Sequence, residues 1–247
     1  MTETRNFDPR QPSIRKELDR ERNLAWERLA SPGTWWSGKE RLAIAAEVRL
    51  APSCALCQRR KHALSPYAVE GAHDTLGVMS QAMVEVVHRI ATDAGRLTKK
   101  WLHAILDQGI KEEEYVEAIG VIAVITALDT FDLSLGLTQR PLPAPLPGTP
   151  ARQRPANARK SIAWVSTVEP DALMPGDPDP YAVHGTKNIH RALSLVPQEV
   201  LNFFDLDVEL YLKDHEIRDF TREYRALSHV QMELLAGRVS ALNGCYY

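Results

Sequence analysis

Apolar positions recur at helical spacing along most of the chain, and polar or proline-containing stretches separate the runs. Leu18, Ala25, Trp26 and Leu29 lie at mixed helical spacing in the charge-rich stretch 13–30, which predicts a weakly packed first helix. Ser37 with Glu40 three residues on is a capping box, so the next helix runs through "KERLAIAAEVRL" until Pro52 breaks it. Ser53 then serves as an N-cap for a helix that begins at Cys54 and carries Cys57, Arg59, Arg60 and His62. Further helical runs cover about 74–94, 98–108 and 111–137. The last is acidic at its start, as the helix dipole favours, and apolar nearly all round in its middle. That pattern predicts the central, most buried helix. Trp35-Trp36 reads as an anchor ahead of the second helix.

The pattern then changes. Residues 141–180 hold ten of the sixteen prolines, so they form an extended connector and not a helix. Within it, "SIAWVSTVE" (161–169) is apolar enough to pack against something. Helical signals resume near Thr186 with "NIHRALSLV", then "PQEVLNFFDLDVELYL" with Pro197 in a first turn, then "SHVQMELLAGRVSALNG" from Ser228. The expected fold class is therefore all-α. A polar segment (1–19) precedes a first helical unit (20–140), a Pro-rich connector (141–183) and a second helical unit (184–247).

Charge and cysteine usage narrow the function. A formal net charge of −2 gives no electrostatic case for nucleic acid or an anionic membrane surface. No apolar run approaches the roughly 20 residues a membrane span needs. The N-terminal stretch has no apolar core of a secretory signal, so the expected location is cytoplasmic. Three cysteines do not make a disulfide scaffold, and the close pair Cys54-Ala-Leu-Cys57 reads as redox-active or metal-binding. A zinc site built on Cys54, Cys57 and His62 is one ligand short of the four a structural site needs, and no second CxxC is present. No metal and no cofactor are therefore expected. His88 lies on a largely apolar helix and reads as a core histidine, while His103, His184, His190, His215 and His229 read as surface or interface residues. The cluster Glu112-Glu113-Glu114 reads as a favourable first helical turn.

The stretch Glu233–Cys245, "ELLAGRVSALNGCYY" with its two following tyrosines, resembles the signature of the alkylhydroperoxidase D / carboxymuconolactone decarboxylase-like family. That signature is a glutamate, eleven residues, a cysteine, two residues, a second cysteine, three residues and a histidine. The first half resembles a diverged copy, with Cys54-x-x-Cys57 and the run "EEEYVEAIGVIAVITALDTFDLSLG". Glu40 precedes Cys54 by fourteen positions where Glu233 precedes Cys245 by twelve, and His62 follows Cys57 by five where the family has four. The resemblance implies an alkylhydroperoxidase-D-like helical bundle of two related units, assembled as a homo-oligomer.

The resemblance also implies a chemistry: peroxide reduction by a dithiol, with a dithiol protein as the external reductant. A thiolate attacks the peroxide to give a sulfenic acid, and its neighbour resolves that to a disulfide. The glutamate and histidine relay the thiol proton. The candidate site residues on this reading are Cys245 and Glu233 in the second motif, and Cys54, Cys57, His62 and Glu40 in the first. Family members include selenoproteins, so a selenocysteine at the position after Tyr247, with Cys245 as its resolving partner, is a further expectation. Two other readings stay open: a lyase acting on a small acid, and a helical scaffold or redox sensor without catalysis.

Overall fold

The computed structural model describes residues 13–176 and 178–245. Most of the expected polar segment 1–19 lies outside these residues. The chain is mostly helical. Helix α1 spans Lys16–Ala30, α2 Gly38–Leu50, α3 Ala55–His62, α4 Gln81–Asp93, α5 Lys99–Leu106 and α6 Glu112–Ser134. After the connector come α7 (Asn188–Arg191), α8 (Pro197–Leu210), α9 (Asp214–Ile217) and α10 (His229–Leu242).

Local sequence explains where these helices start. Ser37 accepts the Glu40 N–H while Glu40 accepts the Ser37 N–H, so the expected capping box forms at α2. Ser80, Thr98 and Ser228 cap α4, α5 and α10 through the same side-chain oxygen to backbone contact. The Ser80 cap places the start of α4 at Gln81, so residues 74–80 are not helical as their apolar spacing suggests. Cys54, and not Ser53, is the residue before the first turn of α3.

Helix α6 is the centre. Val116, Ala118, Val121 and Ile125 are fully buried on it, and it packs against α2, α4 and α8. Leu193, Leu195, Val196, Val200, Phe204 and Leu206 join the same core as Ala25, Ile44, Val86 and Leu102. The sequence boundary near 184 therefore does not separate two hydrophobic cores, because α8 lies on α1 and α6. A charged group ties these layers together. The Arg41 guanidinium donates to Glu117 at 2.7 Å and to Glu199 at 2.7 Å, linking α2, α6 and α8. Glu117 also accepts the backbone N–H of Trp35 at 2.6 Å and of Trp36 at 3.3 Å, which is how the tryptophan pair is anchored.

The Pro-rich connector is extended, with one short addition. Arg159–Lys160 (β1) pairs antiparallel with Ser166–Thr167 (β2). Val165 and Val168 are buried, so the apolar stretch inside the connector does pack. Ser166 donates to Glu112 at 2.8 Å, Arg154 pairs with Glu113, and Glu114 accepts the Lys111 N–H at 3.0 Å. The acidic first turn of α6 thus caps its own helix and holds the connector.

His184, His190 and His229 are buried within the described fold, where the sequence alone suggests surface or interface positions. His184 lies 2.9 Å from Asp205, His190 packs on Phe204 at 4.4 Å between ring centroids, and His229 stacks on Phe220 at 4.3 Å. Each ring has an aromatic or carboxylate neighbour that only the tertiary fold supplies.

Candidate functional site: a cysteine–histidine cluster with paired carboxylates

The two cysteines of the CxxC lie at the start of α3, and both are buried. Pro52 ends α2 and forces the turn Ala51–Ser53 that delivers Cys54 to the α3 N-terminus. Two intervening residues place Cys57 about one helical turn on, near the same edge of the helix. The chain from 63 to 80 then folds back over α3. Asp74 accepts the Ala55 N–H at 2.8 Å, and Arg60 donates to the Val69 carbonyl at 3.2 Å. Gly71 has φ +149, and a Cβ there would stand 2.7 Å from the Arg59 guanidinium and 3.3 Å from Leu56. A glycine is thus needed for this loop to pass so close to α3.

The fold-back delivers His73, and α4 delivers His88. His73 Nδ1 lies 3.4 Å from Cys54 Sγ and 3.5 Å from Cys57 Sγ. His88 Nδ1 lies 3.2 Å from Cys57 Sγ. The two rings are 4.3 Å apart between centroids. All four ligand-type atoms fall within 4.8 Å of one another.

Each imidazole turns its other nitrogen to a carboxylate. His88 Nε2 is 3.0 Å from Glu47 on α2, and both side chains are fully buried. His73 Nε2 is 2.7 Å from Glu85 on α4. The carboxylates are held in turn. Glu85 accepts from Arg60 at 2.8 Å and from the Trp101 indole at 3.1 Å, and Glu47 accepts the Leu76 N–H at 3.2 Å.

The electrostatics follow from these contacts. Burial would lower the His73 pKa, but the bonds to Cys57, Glu85 and Cys54 outweigh it and raise it to about 10. Burial would raise Glu85, but His73, Arg60 and Trp101 pull it down to about 2. Burial likewise works to raise Cys54. The Cys57 backbone N–H and the His73 ring oppose it, and the net direction is down. His88 goes the other way: burial lowers its pKa despite Glu47. The cluster thus pairs one imidazole that favours its cation with one that favours its neutral form.

Of the expected site residues, the fold brings together Cys54 and Cys57 alone. His62 is exposed at the last turn of α3 and is not among the clustered side chains. Glu40 is spent on the α2 capping box and lines a cleft with Trp36 and Met83. Glu233 accepts from Tyr211 and lies 3.6 Å from His229, while Cys245 is exposed past the end of α10. The residues that sequence reasoning passed over are Glu47, His73, Glu85 and His88. Local hints exist for three of them, though none reveals a role: Glu47 is a lone acid in the apolar window 42–48, and Glu85 and His88 share a face of α4 at a spacing of three, while nothing local singles out His73.

The molecule is thus a mostly helical protein with a buried Cys/Cys/His/His cluster backed by two carboxylates. Comparison with protein-family models, with curated proteins and with solved structures finds no match for the chain.

Proposed function

We propose that the chain is a thiol-dependent peroxidase whose working dithiol is Cys54 and Cys57. The observation that supports this most is the pair of hydrogen-bonded chains Cys57–His88–Glu47 and Cys54–His73–Glu85. A cysteine, an imidazole and an orienting carboxylate in series are the parts an activated thiol requires. The family resemblance of the CxxC region adds to this reading. The relay roles pass from Glu40 and His62 to Glu47, Glu85, His73 and His88.

In this scheme Cys54, at the positive end of α3, attacks the peroxide as its thiolate. An S–O bond forms, the O–O bond breaks, and the leaving oxygen takes its proton from His73. Cys57 then gives its proton to His88 and attacks the Cys54 sulfenic acid. The S–O bond breaks, water leaves with the proton from His88, and a Cys54–Cys57 disulfide remains. An external dithiol protein reduces it. The balance is one peroxide and two thiols in, one alcohol or water, one further water and one disulfide out. Burial of both sulfurs favours the smallest substrate, so hydrogen peroxide ranks above bulky alkyl hydroperoxides. A homo-oligomeric assembly belongs to the same reading, as the family resemblance implies.

The test is turnover. Chelator-treated protein with dithiothreitol is expected to consume hydrogen peroxide catalytically, and Cys54→Ser to consume none above the dithiol background. Equal consumption by wild type and Cys54→Ser would end the proposal.

A further inference from the structure

We infer that Cys54, Cys57, His73 and His88 form a four-ligand site for a divalent transition metal, with zinc the best match. The inference does not rest on peroxide chemistry, since it concerns the same side chains in another state. The ligand set is two sulfurs and two imidazole nitrogens, the combination that selects tetrahedral zinc over hard cations. Zinc–sulfur and zinc–nitrogen bonds of ordinary length give a tetrahedron whose sulfur–nitrogen edges are about 3.6 Å. Three of the four sulfur–nitrogen separations are 3.4, 3.5 and 3.2 Å, and the fourth, Cys54 to His88, lies within 4.8 Å. Little movement is needed to admit an ion.

Three further features fit a metal centre. First, both rings turn Nδ1 inward and engage a carboxylate through Nε2, which fixes the tautomer a metal needs and raises ligand basicity. Secondly, the site is closed: Cys54 is 0% and Cys57 3% exposed, the His88 side chain 0% and the His73 side chain 5%. Closed four-ligand sites are the structural kind. Thirdly, the segment that the ligands join lacks a core of its own. Cys54, Leu56 and Cys57 form a small cluster apart from the main core, and among the described residues Val69 is the one partly buried hydrophobic packed against it. Leu64, Leu76 and Val78 of the 63–80 loop are exposed. A metal joining α3, this loop and α4 supplies the cross-link that apolar burial does not.

Sequence spacing hid the site because its ligands come from three segments, with fifteen residues between Cys57 and His73 and fourteen between His73 and His88. His62, the nearest histidine in sequence to the CxxC, contributes nothing to it.

Cobalt(II) titration of the reduced, chelator-stripped full chain tests the inference. Expected are saturation at one cobalt per chain, a thiolate-to-cobalt charge-transfer band, the visible spectrum of tetrahedral cobalt, and displacement of all three by zinc. Glu85→Gln should weaken binding about 10–100-fold by loosening His73. Cys245→Ser should bind as wild type does. An octahedral spectrum, no charge-transfer band, or undiminished uptake by the Cys54→Ser/Cys57→Ser double variant would overturn it. Should a variant lose its helical circular dichroism, the wild-type titration against a competing chromophoric chelator decides alone. Metal uptake without peroxide turnover would keep this inference and remove the peroxidase reading. Peroxide turnover without metal uptake would do the reverse.

Discussion

Cys54–Cys57 and Cys245 sit in two regions that the fold treats in opposite ways. Around Cys54 and Cys57, four helices and a folded-back loop supply two imidazoles, two carboxylates, an arginine and an indole, each in contact with the next. Around Cys245, α10 has His229 as its one buried residue, and Val230, Leu234, Leu235, Val239 and Leu242 are exposed. The family-like spacing is clearer in the second region, yet the organised chemistry is in the first. A spacing motif places residues on one helix. Reactivity requires partners from other elements, held in place before the reaction starts.

Breaking this contrast at its strongest point means removing a sulfur. Cys54→Ser should abolish peroxide-dependent disulfide formation, while Cys245→Ser should leave the rate within about twofold of wild type, because Cys245 is exposed and lies outside the cysteine–histidine cluster. Peroxide consumption with dithiothreitol measures both. Arg41→Ala probes the scaffold beneath the cluster. It leaves Glu117 and Glu199 buried without their cation and should cost about 3–5 kcal/mol in urea unfolding. Leu234→Ala on the exposed face of α10 should change stability by less than about 0.5 kcal/mol in the same assay.

Smaller effects sharpen the relay. His88→Ala should slow peroxide-dependent disulfide formation about 100-fold, the range of a positioned acid–base group, while Cys54 is still oxidised to a sulfenic acid that a dimedone-type reagent traps. His62→Ala should leave that rate unchanged, since the residue is exposed and outside the cluster. Glu40→Ala should cost about 1 kcal/mol through the lost α2 cap and leave the thiol chemistry intact.

The helices were largely readable because their causes are local. Ser37, Thr98 and Ser228 announce helix starts, Pro52 and Pro197 mark a break and a first turn, and the apolar run in α6 announces the core. The start of α4 was misplaced because apolar spacing continues through 74–80, and only the Ser80 cap and the tie of Asp74 to α3 settle it. Half of the cluster was legible: the CxxC is a local pattern. His73, Glu47 and Glu85 were not, because each acquires its role from a residue twelve to forty-one positions away. His88 was visible but read as a satisfied core histidine. That reading captured its burial and missed that the partner satisfying it, Glu47, is a buried acid.

The most direct test of the account is a peptide map after one equivalent of hydrogen peroxide acts on metal-free protein. Trypsin should release residues 50–59, which hold both cysteines of the CxxC, as one peptide. The account predicts that this peptide becomes lighter by two hydrogens while Cys245 stays a free thiol. An unchanged 50–59 peptide beside an oxidised Cys245 would contradict it.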